Sequence, residues 1–398
     1  MFEQLQPIKA DAILSLSVEY RADTNPNKID LGVGVYKTEQ GDTPVLQAVK
    51  QAEAHLLQSQ TSKSYVAPIG NAGFNQSMLE LVFGNDHVVM TDKRASSVQA
   101  PGGTGALSLA SRLIARCNAN ANVWVSNPTW ANHIPLIQGA GLSIKEYTYY
   151  DTTAKSIDFD GMMNDLRSGV SAGDVVLIHG CCHNPCGADL SMDQWKLLTD
   201  LINEKGATPF VDLAYQGFGA GLEEDVAGLR YMAANVKEML VAASCSKNFG
   251  LYRERVGATM VVSESEQASN NAVDNLGVVA RGIWSMPPDH GASIVEAILA
   301  SSELTSVWHN ELTEMCDRIN GLRSLVANSL KDSGVAQSFD FMVNENGMFS
   351  FLGITPEQVA QLKADYSIYM VSSSRINVAG LNANNLPYFV DAMKKVVG

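Results

Sequence analysis

VVLIHGCCHNPCGADLSMDQWKLLTDLINEKGATPFV, residues 175–211, is the stretch whose reading decides the fold. It opens on the short apolar run Val175–Ile178, which reads as a buried strand. Ser191, with Gln194 three places on, makes a capping-box pattern. Trp195, Leu198, Leu201 and Ile202 then supply one buried helical face, and Gly206 ends the helix. Thr208-Pro-Phe-Val211 follows as a second apolar run. The same alternation extends from about residue 95 to 262, with further runs at Val123-Trp-Val125 and Met239-Leu-Val-Ala242. It predicts an α/β architecture with a mostly parallel sheet.

Towards the C-terminus the texture changes. Met348-Phe-Ser-Phe-Leu352 reads as a strand, Thr355-Pro-Glu-Gln358 caps a helix, and Ser367–Val378 returns as a strand pair or extended segment. A smaller α+β domain is expected there, completed by the N-terminal residues. The chain divides into an arm with part of the small domain (1–42), a large domain (43–314) and the rest of the small domain (315–398). Its 398 residues exceed the size at which single cores stop growing, which agrees with two domains. No internal repeat or low-complexity tract interrupts it.

Apolar residues make up 46% and charged residues 18%, as in an ordinary globular enzyme. A net charge of −14 argues against nucleic acid or an anionic membrane as partner. An anionic substrate must therefore be captured by a few placed cations. The N-terminus lacks a basic segment followed by an apolar one, and no apolar run approaches the roughly 18 residues of a membrane helix. A soluble, cytoplasmic protein is expected. Cys181, Cys182, His183 and Cys186 invite a metal reading, but they lack paired C-x-x-C spacing and adjacent ligands suit one tetrahedral ion badly. Buried free thiols are expected, and no metal.

In an open α/β sheet, ligands bind beyond the carboxyl ends of the strands. Pro101-Gly-Gly-Thr-Gly105, before the helical pattern Ala106–Ala115, is either a phosphate cradle at a helix N-terminus or a plain tight turn. Asp30-Leu-Gly-Val-Gly-Val35 lacks the third glycine and the following helix of a dinucleotide fingerprint. Asp212 ends a strand with Tyr215 three places on; such a carboxylate either serves a site or caps the next turn. In Ser244-Cys-Ser-Lys-Asn-Phe-Gly-Leu-Tyr-Arg-Glu-Arg-Val-Gly257, Lys247 follows two serines, with Arg255 further on. A lysine near a strand end is commonly a solvated surface group. Flanked by hydroxyls and an arginine, it suits an amine beside a bound phosphate.

Segment 244–257 resembles the lysine signature of the class I pyridoxal 5′-phosphate (PLP) aminotransferases, and the likeness runs from Phe2 to about Lys395. It is nearest to the bacterial aspartate and aromatic-amino-acid enzymes of subgroup Iα. Tyr65, Gly102-Gly-Thr104, Trp130-x-x-His133, His183-Asn-Pro185, Asp212-x-x-Tyr215, Lys247, Arg255, Arg281 and Arg375 occur in the family's order. The resemblance implies fold type I of the PLP-dependent transferases, with a seven-stranded, mostly parallel sheet.

The same resemblance implies residue roles. Lys247 would hold PLP as a Schiff base and move the proton between substrate and cofactor. Asp212 would pair with the ring nitrogen, supported by His133, and Tyr215 and Asn184 would bond the 3′-oxygen. Trp130 would stack on the ring, with a core tryptophan as the plainer alternative. Gly103, Thr104, Ser244, Ser246 and Arg255 would hold the phosphate, completed by Tyr65 from a neighbouring subunit. Arg375 would grip the substrate α-carboxylate, a task suited to its planar fork. Arg281, across a dimer interface, would take a second carboxylate. Val33 and Gly34 would lie in a segment that closes over the substrate, and Phe349 beside the pocket. A homodimer with shared sites, acting on amino acids and 2-oxo acids, is implied.

Three positions depart from the family pattern: Trp284 for tyrosine, Met286 for the asparagine of aspartate enzymes, and Cys186 for threonine. The first two flank Arg281 and make that wall larger and more apolar, which favours aromatic side chains. The expectation is an aromatic-amino-acid aminotransferase that also accepts aspartate, working by a ping-pong cycle with 2-oxoglutarate. The alternative is an aspartate aminotransferase with minor aromatic activity. The retained Arg281 speaks against a lyase or decarboxylase on this fold. A DNA-binding regulator is opposed by the lack of spare residues or a basic patch.

Overall fold

The computed structural model describes residues 1–6 and 12–398. Its centre is a seven-stranded sheet in the order Ala95–Pro101, Val256–Val262, Met239–Ser244, Thr208–Leu213, Val175–His179, Asn122–Asn127 and Ser143–Thr148. Val256–Val262 runs antiparallel to both neighbours, and the remaining pairings are parallel. The fold is thus α/β with a mostly parallel sheet. Val175–His179, Met239–Ser244 and Val256–Val262 are buried along their whole length. Successive side chains point to opposite faces: Val176 and Ile178 join one apolar core, while Val175 and Leu177 join the other. Continuous apolar runs, without polar alternation, are what a sheet covered on both faces requires.

The helix Met192–Lys205 has both halves of its capping box, and Gly206 closes it in the left-handed conformation. The glycine-rich segment differs from the sequence expectation. The helix begins at Gly102 and runs to Cys117, so the glycines are its first turn, not a turn before it. First-turn N–H groups have no intrahelical partner to lose, so glycine can sit there if something gains from its lack of a side chain. At Gly102 (φ 72°) a Cβ would lie 2.4 Å from Arg255 Nη2.

In the C-terminal part, Phe349–Phe351 pairs antiparallel with Arg375–Asn377, placing Phe349 opposite Asn377. The segment 367–378, expected as a strand pair or an extended segment, gives two short strands that pair with other parts of the chain. Ile368–Tyr369 lies parallel to Ile29–Asp30, which ties the N-terminal segment to this region. Thr355 and Gln358 form the second capping box, opening Pro356–Tyr366. The long helix Ser302–Ser333 carries Arg323, which is 1% exposed and paired with Glu345 at 3.2 Å. Arg323 also donates to the carbonyls of Met342, Asn346, Gly347 and Phe349, so its charge is fully solvated by protein. Among the described residues no helix is long and apolar enough to cross a membrane.

Candidate active site

The parallel strands Thr208–Leu213 and Met239–Ser244 deliver Asp212 and Ser244 to one cavity of about 260 Å³ at their carboxyl ends. Roomier clefts of about 700 and 860 Å³ lie elsewhere. The small cavity is nevertheless the candidate site, because it gathers Lys247, Asp212, Arg255 and Arg375 around one space.

On one wall, Asp212 Oδ2 lies 3.0 Å from Nε2 of the fully buried His133. Burial pushes the Asp212 carboxyl up, but the His133 hydrogen bond and the nearby Lys247 amine outweigh it and hold the pKa below the ordinary value. Asp212 therefore presents a negative charge to the cavity. Behind it, His133 Nδ1 meets Thr129 Oγ1 at 2.8 Å, and Thr129 meets His179 Nε2 at 3.2 Å. The His179 ring lies 3.9 Å from the His183 ring between centroids, tilted by 32°, and His183 Nδ1 lies 3.2 Å from Cys186 Sγ. Burial drives His179 down to about 3 and His183 well below its usual value, so both rings are neutral.

Asn184, Tyr215 and Trp130 line the same cavity, with Trp130 edge-on to His133 at 5.4 Å between centroids. Lys247 Nζ sits 4.4 Å over the Tyr215 ring. Burial, helped by Arg255 and opposed by Asp212, pulls the Lys247 ammonium down to about 8. Only the neutral amine can attack a carbonyl. Covalent capture of PLP by cofactor-free protein is therefore expected to accelerate with pH through about 8 and level off above it. Stopped-flow absorbance checks this; acceleration continuing unchanged to pH 10 would match an ordinary lysine instead.

The opposite end fits a phosphate. Gly103 and Thr104 occupy the first turn of Gly102–Cys117, where free N–H groups and the positive dipole end meet the cavity. Ser244 Oγ and Ser246 Oγ are 3.1 Å apart, and Arg255 Nη1 lies 3.5 Å from Ser246. A side chain would narrow this cup: a Cβ on Gly103 would meet Ser244 at 3.1 Å. The donors, the cation and the room left by glycine match a phosphomonoester, and Lys247 stands near enough to share its cavity with an aldehyde. These residues fit PLP.

Arg375, 6% exposed, places its guanidinium 4.5 Å over the Phe349 ring and donates to Gly32 O at 2.6 Å. Gly34 and Phe349 line the cavity beside it, whereas Val33 does not. Two expected residues stand outside: Tyr65 is 92% exposed, and Arg281 is exposed in the last turn of Glu266–Ile283. Sequence reasoning missed Ile13, Leu107, Ala214 and Tyr252, which also line the cavity. Leu107 stands three places after Thr104 and Tyr252 five after Lys247, so helical spacing and the signature itself were the available signals. Cys181, Cys182 and Cys186 are buried free thiols. Among the described residues, Cys181, Cys182 and Asp225 bring three potential ligand atoms together, a different set from the sequence cluster. The Asp225 carboxylate is already occupied by N–H groups of Gly217, Gly219 and Ala220.

A lysine amine and a carboxylate in one cavity with a phosphate cup are the requirements of a PLP-dependent transferase. The family model described as aminotransferase class I and II matches residues 26–393. The aspartate aminotransferase of Escherichia coli is 46% identical over 397 residues, covering 100% of both chains. The aromatic-amino-acid aminotransferase of Paracoccus denitrificans is 43% identical, also over 100% of both. A crystal structure of the aromatic-amino-acid aminotransferase of Burkholderia pseudomallei, covalently bound to PLP, superposes with a TM-score of 0.98 at 39% identity, covering 100% of both chains. The chain belongs to the class I and II aminotransferase family. It is a PLP-dependent enzyme whose substrates are amino acids and 2-oxo acids.

Proposed function

We propose a dual-specificity aminotransferase that takes tyrosine, phenylalanine or tryptophan, and also aspartate, with 2-oxoglutarate as amino acceptor. The observation that carries this reading is the apolar pair Trp284 and Met286, three and five residues after Arg281 in the chain. Trp284 is partly buried against the same apolar core as Trp130 and Ile69, and Met286 Sδ accepts the Val66 N–H at 3.3 Å. An indole and a thioether beside the distal arginine favour an aromatic ring, while the arginine itself favours a second carboxylate. The 46% identity to aspartate aminotransferases supports a second reading, an aspartate enzyme with minor aromatic activity.

When bound, PLP supplies an electron-withdrawing ring and a carbonyl carbon that carries the amino group. The chain supplies the rest. Lys247 would anchor the cofactor and, once released from it, take and return the substrate Cα proton as the amine lining the cavity. Asp212, kept charged by His133, holds the proton on the ring nitrogen. Tyr215 and Asn184 would bond the cofactor's 3′-oxygen, and Trp130 would stack on its ring. Gly103, Thr104, Ser244, Ser246 and Arg255 hold the phosphate. Arg375 orients the α-carboxylate, with Gly34 and Phe349 as neighbours and Val33 in the covering segment. The outward placement of Tyr65 and Arg281 supports a homodimer in which both serve the other subunit's site. In this reading 43–314 is the cofactor-binding domain and 315–398, with part of 1–42, the smaller one. The continuous helix Ser302–Ser333 links them.

The test is kcat/KM for phenylalanine, tyrosine and aspartate, each with 2-oxoglutarate, on PLP-loaded enzyme. Aromatic substrates are expected to equal or exceed aspartate. A preference for aspartate of about a hundredfold, roughly 2.7 kcal/mol, would overturn the specificity while leaving the catalytic roles intact.

A further inference from the structure

Gly34 is the apex of a tight turn that lines the cavity. The Val35 N–H bonds the Val33 carbonyl at 3.1 Å. The buried Asn377 side chain grips both flanks of this turn, donating from Nδ2 to Val33 O at 2.7 Å and to Val35 O at 2.8 Å. Its Oδ1 accepts the Ala379 N–H at 3.0 Å, and its own N–H donates to Leu31 O at 2.8 Å. Every hydrogen-bonding group of the carboxamide is thus committed, and the amide hydrogens go to the turn. Arg375 lies two residues earlier on the same strand, hence on the same face, and bonds Gly32 O. Phe349, opposite Asn377, sits beneath the apex: a Cβ on Gly34 would come within 2.8 Å of its ring. At the far end, the Tyr36 N–H donates to Tyr252 Oη at 2.9 Å.

We propose that Asn377 is a positioning residue for substrate binding: by stapling the carbonyls on both sides of Gly34 it sets the height of the 32–35 segment above the substrate and locks that segment to Arg375. The inference rests on the reading of Arg375 as the α-carboxylate arginine. Loss of the staple frees the turn without touching the phosphate cup, Lys247 or Asp212. Substrate affinity should fall while the cofactor stays bound.

The experiment compares Asn377→Ala, Asn377→Asp, Gly34→Ala, the Asn377→Ala/Gly34→Ala double variant and Arg375→Lys in the PLP-loaded enzyme. Asn377→Asp keeps the size but turns both donors into acceptors facing carbonyls, and it serves if the alanine variant does not fold. The readouts are KM for aspartate, kcat, the visible PLP band and the Kd of maleate, an unreactive dicarboxylate. Asn377→Ala is expected to raise KM and the maleate Kd roughly ten- to a hundredfold, with the band unchanged and kcat less affected. The double variant should fall well short of the product of the singles, since both act on one turn. A merely structural asparagine would lower the melting temperature and leave KM and Kd within twofold, or give multiplying single effects; either result overturns the proposal. Arg375→Lys separates the failures. If it weakens maleate binding while Asn377→Ala does not, the staple alone is wrong; if it changes nothing, the reading of Arg375 falls and the proposal with it.

Discussion

Replacing Lys247 by alanine is expected to give a folded protein without the visible band of lysine-bound PLP, with turnover reduced by roughly ten-thousandfold or more. Lys247 is the lysine among the described residues lining the cavity, so no neighbouring amine takes over its work. The substitution removes the covalent anchor and the proton carrier together. Folding should survive, because the ammonium contributes a contact over the Tyr215 ring and its burial opposes its charge. The phosphate cup is untouched, so PLP should still bind, now absorbing as the free aldehyde. Absorbance spectra and single-turnover conversion of an amino acid check the prediction. A retained band with normal turnover would refute the assignment of Lys247.

Asp212→Asn is expected to lower kcat/KM by about a thousandfold while PLP remains bound. The amide matches the carboxylate in shape but carries no charge, so it cannot hold a proton on the ring nitrogen. His133, whose Nε2 now faces Asp212 Oδ2 at 3.0 Å, would meet a neutral partner. Because Asp212 is held below the ordinary carboxyl value, it stays ionised into mild acid. An acid limb of the rate profile above pH 5 should therefore belong to another group. Steady-state kinetics with measured PLP content provide the check, and a loss of less than about threefold would show that the charge is not used.

What the sequence made legible was local. The strand–helix–strand unit at 175–211 could be read because its apolar run and Ser191 cap are short-range signals, and the capping box forms as expected. The helix start at Gly102 was misplaced because glycine is a poor helix former. Glycine is needed at 102 because its φ is 72° and a Cβ would run into the Arg255 guanidinium, a tertiary reason invisible in a window of residues. His183 and Cys186 have metal-like spacing in the sequence, yet their contacts run through the adjacent His179 ring, Thr129 and His133 towards Asp212. Asn377 carried no signal, since its partners Val33 and Val35 lie more than 340 positions away in sequence. Tyr65 and Arg281 are exposed and do not line this chain's cavity, and their proposed use needs a second subunit.

The most direct test of the account is to reduce the PLP-loaded enzyme with borohydride, which fixes the cofactor to its lysine as a stable secondary amine. Digestion and mass spectrometry then locate the adduct. A single phosphopyridoxyl group is predicted on Lys247, in the peptide containing Ser246 and Asn248. An adduct on any other lysine, or none on Lys247 in active enzyme, would contradict it.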